Sequence, residues 1–281
     1  MQDALIIVAP NGARKQKTDH FNLPITPEEI ASEVEACVKA GAGMVHLHAR
    51  TADGQHSLEI DDNLAVLKAV RERVGDQVIV QVTTEAVGIY KPEQQMALIR
   101  GIEPEAASFA IKELIPTQES EQAACEFFSW VAAKKIIAQY IVYSMNELAR
   151  YFDYINRGII QEGSPHHLLI VLGRYADGQQ SDPGDLAPFL PLLSKLSEQN
   201  IRWAVCAFGH KEQNCLLYAA QLGGDVRIGF ENNCYTPEGE LAETNAAQVS
   251  ALVKQIQARG RDVINAEKCR ELNIFADFKT V

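Results

Sequence analysis

The sequence predicts a (β/α)8 TIM barrel of the α/β class, built as one domain over residues 1–281. Three observations carry this expectation. Strand-like and helix-like segments alternate through eight rounds, which implies a parallel sheet covered by helices. The first strand, ALIIVAP at 4–10, is a continuous apolar run, as expected of a strand buried on both faces. After it stands Pro10-Asn11-Gly12-Ala13, not the G-x-G-x-x-G turn that an open dinucleotide-binding sheet would place there. At about 150 residues per domain the length allows one or two domains, and eight βα units leave only a short tail.

Taken in order, the first helix opens at Thr26-Pro27-Glu28-Glu29, with Thr as N-cap, Pro in the first turn and Glu29 closing a capping box. Ile30, Val34, Cys37 and Val38 follow at helical spacing, and Gly41 and Gly43 end it. Strand two is GMVHLHA (43–49), followed by a helix over 62–74, a strand over 77–84 and a short helix over 92–100. AASFAIKEL (106–114) reads as strand four, with a helix near 118–133, a strand over 134–144 and a helix over 145–157. HLLIVLG (167–173) is strand six, and the polar stretch RYADGQQSDPGDL delays the next helix to about 186–199. Strand seven covers 201–209, and a helix over 212–222 stops at Gly223-Gly224. Strand eight is DVRIGFE (225–231), before a last helix near 242–258.

Composition narrows the partners. Lys and Arg number 26 against 37 Asp and Glu, a net charge of −11 that repels phosphate backbones and anionic membranes, so neither nucleic acid nor a membrane is expected. No apolar run approaches the length of a membrane span, and the N-terminus lacks the pattern of a signal peptide, so a cytoplasmic address is expected. The six cysteines are scattered without a C-x-x-C pair, which suits free thiols better than disulfides or a Cys-rich zinc site.

Barrel active sites gather at the C-terminal ends of the strands. His46 and His48, two apart in strand two, point to one face and enter the mouth side by side. Imidazole is a frequent zinc ligand, and Glu231 at the end of strand eight supplies a third donor, leaving room for water or substrate. Arg227, Gly229 and Glu231 share one face of strand eight, so Arg227 and Glu231 both look inward, and Arg227 needs an anion, either substrate or a buried partner such as Glu85. Asn11, Thr83, Thr84, Glu85, Ser108, Tyr143 and Arg174 also end strands. His166 and His167 precede strand six at the far end and read as structural or exposed; His20 and His56 read as surface or rim residues, and His210 as rim or solvated loop.

The segments APNGARK, LPITPEEI, AGAGMVHLHAR, QVTTEAVG and GGDVRIGFENN together resemble the beta-keto acid cleavage enzymes, of the 3-keto-5-aminohexanoate cleavage enzyme type, over nearly the whole chain. The resemblance implies a zinc-dependent barrel, commonly a homotetramer, that reacts a β-keto acid with acetyl-CoA to give acetoacetate and a new acyl-CoA. It places His46, His48 and Glu231 on the zinc ligands, Arg227 on the catalytic arginine, and Thr83 and Ser108 on substrate-binding hydroxyls. Asn11 and Thr84, on the same rims, join the substrate-binding set.

Two positions depart from what the resemblance implies. The family ends strand eight in Glu-Asp, the Asp forming a proton-abstracting dyad with the arginine, whereas this chain has Asn232, which cannot act as a base. The family has Glu two residues after the first-strand Gly, whereas here Arg14 reverses the charge. Glu85 is then the expected base, and Arg14 with Lys15 either reads a more acidic substrate or forms a solvated basic loop. Anionic substrates on an acidic chain require cations at the mouth, with zinc, Arg227, Arg50 and Arg14 as the expected set. Two further readings stand: a metal-dependent barrel hydrolase or lyase, and a barrel that binds zinc and a keto acid but turns over weakly because of Asn232.

Overall fold

A computed structural model describes residues 2–161, 166–198 and 201–275. Eight parallel strands close on themselves: β1 (Ala4–Val8), β2 (Met44–Leu47), β3 (Ile79–Val82), β4 (Ala106–Ala110), β5 (Ile137–Val142), β6 (His166–Leu172), β7 (Arg202–Ala207) and β8 (Asp225–Ile228). Each pairs with the next, and β1 pairs with both β8 (Ile7 opposite Arg227) and β2 (Ile7 opposite Met44), so the barrel has no open edge among these strands. The helices on the outside are α1 (Pro27–Ala40), α2 (Ile60–Val74), α3 (Pro92–Ile102), α4 (Ile111–Leu114), α5 (Glu121–Ala133), α6 (Met145–Asn156), α7 (Leu190–Glu198), α8 (Glu212–Gln221) and α9 (Asn245–Ala258). Residue 199, the expected end of the seventh long helix, lies outside the described residues, as do residue 1 and residues 276–281 at the ends of the expected domain.

Strand alternation sorts the core into two layers. Ala4, Ile6, Val8, Val45, Leu47, Val80 and Val82 face outward against the helices. Leu5, Ile7, Met44, Ile79, Leu169, Val171, Ala204 and Cys206 face the barrel interior. With Met44 inward and Val45 outward, His46 and His48 must also point inward. The same parity carries Arg227 and Gln81 inside. The expected α1 N-terminus holds: the Thr26 hydroxyl accepts a hydrogen bond from the Glu29 N–H at 3.2 Å, and the Glu29 carboxylate accepts one from the Thr26 N–H, also at 3.2 Å.

Three local expectations are corrected. Strand four stops at Ala110, and Ile111–Leu114 turns into the short α4, so Glu113 swings to the barrel mouth. Strand eight stops at Ile228, because Gly229 takes a φ of +138° where a Cβ would lie 2.4 Å from the Ala9 carbonyl. Glu231 is therefore delivered by a turn, closed by the Asn232 N–H to the Gly229 carbonyl at 2.9 Å, rather than by strand alternation. The residues expected as a short tail after the last helix plug the barrel's floor. β9 (Val263–Ile264) adds to β1, α10 (Ala266–Glu271) follows, and Ile264, Ala266, Cys269 and Phe275 pack into the interior layer.

His166 and His167 lie within β6, not before it, and both are buried. His167 Nε2 sits 3.2 Å from Asp225 Oδ2, and Gln139 Nε2 sits 2.8 Å from His167 Nδ1. Asp225 also accepts from the Leu5 N–H at 2.8 Å and from Arg202 at 2.5 and 2.7 Å. One carboxylate thus ties β1, β6, β7 and β8 together at the end opposite the mouth. Burial alone would raise its pKa; Arg202 first, and His167 after it, overcome this and hold it at about 2.

Replacing Asp225 with Ala strands the largely buried Arg202 charge and the Leu5 N–H, so urea unfolding is expected to show a loss of about 3–5 kcal/mol. Because the folded pKa is depressed, the stabilisation from this group is present above the unfolded aspartate value of about 3.9 and disappears as pH falls toward 2. The stability gap between the native protein and D225N should therefore narrow over that window; a gap unchanged from pH 6 to pH 2.5 would remove the assigned role.

Candidate active site

At the mouth, parity and the β8 turn bring three donors together. His46 Nε2 lies 3.0 Å from His48 Nε2, and Glu231 Oε2 lies 3.6 and 3.2 Å from the two imidazoles. Donors bound tetrahedrally to an ion at about 2.0–2.1 Å stand about 3.3–3.4 Å apart, so the triangle matches a metal's coordination shell. Among the described residues this is the one His/Cys/Asp/Glu cluster of metal-binding size. The surroundings prepare it. His46 Nδ1 faces the Gln81 side-chain oxygen at 2.7 Å; donating there leaves Nε2 with its lone pair aimed at the cluster. Glu231 Oε2 is buried with no hydrogen-bond partner, while Oε1 accepts from Arg227 Nη2 at 2.8 Å.

Electrostatics favour the ligand forms of these groups. Burial first, then the Arg227 charge, push the His46 pKa down to about 3, so its imidazole is neutral near pH 7. Burial would raise the Glu231 carboxyl, but Arg227 and then the two imidazoles outweigh it and hold it well below the usual range. Gly12 gives the carboxylate its space: its φ is +64°, and a Cβ there would come within 2.5 Å of Glu231 Cγ. Lys15 locks the turn from the other side, donating to the Phe230 and Glu231 carbonyls at 2.5 and 2.9 Å.

The remaining expected residues fall around the same cavity. Asn11 lines it, donating to the His48 carbonyl at 2.9 Å and leaving its side-chain oxygen unpaired. Thr83 lines it and accepts from the Glu85 N–H at 3.0 Å, and the Ser108 hydroxyl faces it with no protein partner among the described residues. Thr84 lines it too, but its hydroxyl is committed to the Ser108 carbonyl at 2.7 Å. Glu85 reaches His48 Nδ1 at 3.9 Å and stands between Arg14 and Arg174, at 3.8 and 3.7 Å.

Other expectations are redirected. Arg227 pairs with Glu231 rather than with Glu85. Arg50 does not line the mouth; its guanidinium is consumed by the carbonyls of Gly12, Gly54 and Lys15, which it clamps together. Asn232 is buried outside the cavity lining, its amide without a protein partner. His20 and His56 are buried rather than superficial: His20 Nε2 lies 2.7 Å from the Ala242 carbonyl and His56 Nε2 lies 2.9 Å from that of Glu85. His210 is an exposed neighbour of Tyr235 and lies off this cavity.

Glu113, Gln179 and Phe208 line the mouth and were not singled out from the sequence. Glu113 accepts from the Ala86 N–H at 2.9 Å and Gln95 at 3.2 Å, and burial raises its pKa. Its signal was lost inside a segment that read as strand. Gln179 arrives from the long loop after β6 and carries no motif.

Residues 3–274 match the sequence profile of the beta-keto acid cleavage enzymes. A 3-keto-5-aminohexanoate cleavage enzyme of Fusobacterium nucleatum is 26% identical over 277 residues, spanning 97% of this chain and 98% of its own. A 3-oxoadipate:acetyl-CoA acetyltransferase of Cupriavidus necator is 28% identical over 276 residues, spanning 96% and 94%. Among solved structures, the ternary complex of ObcA with a C4-CoA adduct and oxalate superposes with a TM-score of 0.69 at 20% identity, over 89% of this chain and 67% of that one. A Yersinia pestis dihydropteroate synthase superposes with a TM-score of 0.55 at 12% identity, over 92% and 95%. At those identities the two structures share the barrel alone. The profile, by contrast, spans every strand that builds the His46–His48–Glu231 mouth, and on that match the chain belongs to the beta-keto acid cleavage enzyme family.

Proposed function

We propose that this chain is a zinc-dependent enzyme that converts a β-keto acid and acetyl-CoA into acetoacetate and a new acyl-CoA. The observation that carries the reading is the inward His46–His48–Glu231 triangle, one corner of which is a buried carboxylate oxygen with no hydrogen-bond partner. Zinc held there would act as a Lewis acid on the β-keto acid, making the carbon between its two carbonyl groups easier to deprotonate.

The chain's own residues supply the rest. The Thr83 and Ser108 hydroxyls line the cavity with the triangle and donate to the substrate carboxylate, and Asn11 lines the same cavity beside His48. Glu85 takes the proton from the central carbon. The resulting carbanion attacks the thioester carbonyl of acetyl-CoA and expels the CoA thiolate. That thiolate then adds to the original keto carbon, the C–C bond to the central carbon breaks, and the proton on Glu85 returns to the departing acetoacetate carbanion. Arg227, buried beside Glu231, stabilises negative charge as it develops on the oxygens.

A second reading, binding with slow turnover, is favoured by one residue: Asn232 offers a neutral amide outside the cavity. The barrel hydrolase reading loses support, since β5 and β6 lead into Tyr143 and Arg174 rather than into histidines. No helix among the described residues is long and apolar enough to cross a membrane. Location in the cytoplasm and assembly as a homotetramer complete the proposal, the latter testable by sedimentation.

Zinc content should fall from about one per chain to near zero in His48→Ala, and Gly12→Ala should lose zinc as well by pressing on Glu231; plasma mass spectrometry on dialysed protein reads both. A Gly12→Ala protein with full zinc would contradict the packing argument. Glu85→Gln should lower kcat for acetyl-CoA-dependent acetoacetate formation by about 10²–10⁴-fold with little change in KM, as removal of a general base does. If Asn232→Asp raises kcat tenfold or more while E85Q leaves it untouched, the slow-turnover reading replaces the assignment of Glu85.

A further inference from the structure

Seven of the eight buried or half-buried arginines among the described residues donate at least one guanidinium hydrogen bond. Arg50, Arg150 and Arg261 donate to carbonyls or hydroxyls, Arg71, Arg202 and Arg270 to carboxylates, and Arg227 to Glu231. Arg174 is the exception. Its side chain is 18% exposed, its guanidinium lies 5.3 Å above the Phe208 ring, and the acceptor facing it, Glu85 Oε1, stays at 3.7 Å, beyond hydrogen-bond distance. A guanidinium carries five donors and does not lose its charge, so leaving them unmade in a largely enclosed site is costly. Arg14 faces the same Glu85 oxygen from 3.8 Å and likewise makes no hydrogen bond from its guanidinium among the described residues.

The charges do not balance at this side of the cavity. Arg227 is matched by Glu231, and Lys15 is spent on two carbonyls. Glu113 is occupied by a backbone N–H and Gln95. Two guanidiniums are left to share the single carboxylate of Glu85, an excess of one positive charge. Arg174 lines the same cavity as the metal-binding triangle, together with the apolar side chains of Ile141, Val171 and Phe208. A planar fork with free donors is the geometry that takes a carboxylate or phosphate in two parallel hydrogen bonds.

We propose that Arg174 reads a second anionic group at the far end of the substrate, and that the substrate class is therefore β-keto dicarboxylic acids; this rests on the reaction proposed above. One carboxylate belongs at the triangle and the other at Arg174, with the short methylene chain between them on the apolar wall. Glu85 holds the two guanidiniums apart and ready, and Arg14, half in solvent, adds long-range attraction. The phosphates of CoA carry the same chemistry and are the competing source of the anion.

The test uses the zinc-loaded protein with 3-oxoadipate and 3-oxohexanoate, which match in length and differ only in the distal carboxylate. Calorimetric binding of each acid is measured without acetyl-CoA, alongside steady-state kinetics with it. The native protein should bind the dicarboxylate at least tenfold more tightly. Arg174→Gln should weaken that binding by about 10–100-fold, the scale of a charge-assisted pair, while leaving 3-oxohexanoate binding and the KM for acetyl-CoA within about threefold. Arg174→Lys should recover only part of the loss, because a point charge lacks the fork. Equal binding of the two acids by the native protein overturns the proposal, as does an R174Q effect confined to acetyl-CoA, which assigns the anion to CoA. Selective dicarboxylate binding without acetoacetate formation would leave the subsite standing and overturn the reaction instead.

Discussion

The mouth of this barrel depends on one buried ion pair. Arg227 and Glu231 leave β8 four residues apart, meet at 2.8 Å, and both lie among inward-facing side chains. Removing two charges from water is expensive, and a pair of this kind is seldom a net source of stability. It persists because each member has a second partner to face. Glu231 turns its free oxygen toward His46 and His48, and the guanidinium suppresses any proton on that oxygen or on His46. The arrangement is poised for a cation at the triangle and for anions beside it.

Everything around the pair serves its placement. Gly229 breaks the strand so that the turn can deliver Glu231, and Gly12 leaves space for its side chain. Lys15 and Arg50 fasten the loop after β1 to the loops after β8 and β2 through backbone carbonyls. Opposite them, Asp225 gathers four strands, and the C-terminal plug seals the interior. A charged mouth on a closed, apolar floor is how a chain of net charge −11 can attract anionic substrates: the field inside the cavity is set locally, by four cations against three carboxylates, rather than by the sum over the surface.

The barrel was legible because strand-like and helix-like segments alternate eight times along the chain, and parity alone sent His46, His48 and Arg227 inward. Glu231 was found for a reason that proved incomplete: the strand ends three residues early, and a glycine turn does the rest. Glu113 was missed because Ala110-Ile111 passes from strand to helix without Gly or Pro, the residues that usually announce such a break. Arg50 read as a mouth cation because the sequence shows a charge and not the three carbonyls it is bound to. Asn232 stood out against the pattern implied by the resemblance, and its burial away from the cavity follows from the Gly229 turn, which the strand-like reading of 225–231 passed over.

The central claim is a metal held by two imidazoles and one carboxylate at the C-terminal end of the barrel. Zinc-edge X-ray absorption on the native protein addresses it directly. The account predicts one zinc per chain with a first shell of two imidazole nitrogens and carboxylate or solvent oxygens at about 2.0–2.2 Å, and no sulfur. A shell containing sulfur at about 2.3 Å would place the ion on cysteines instead, and contradict it.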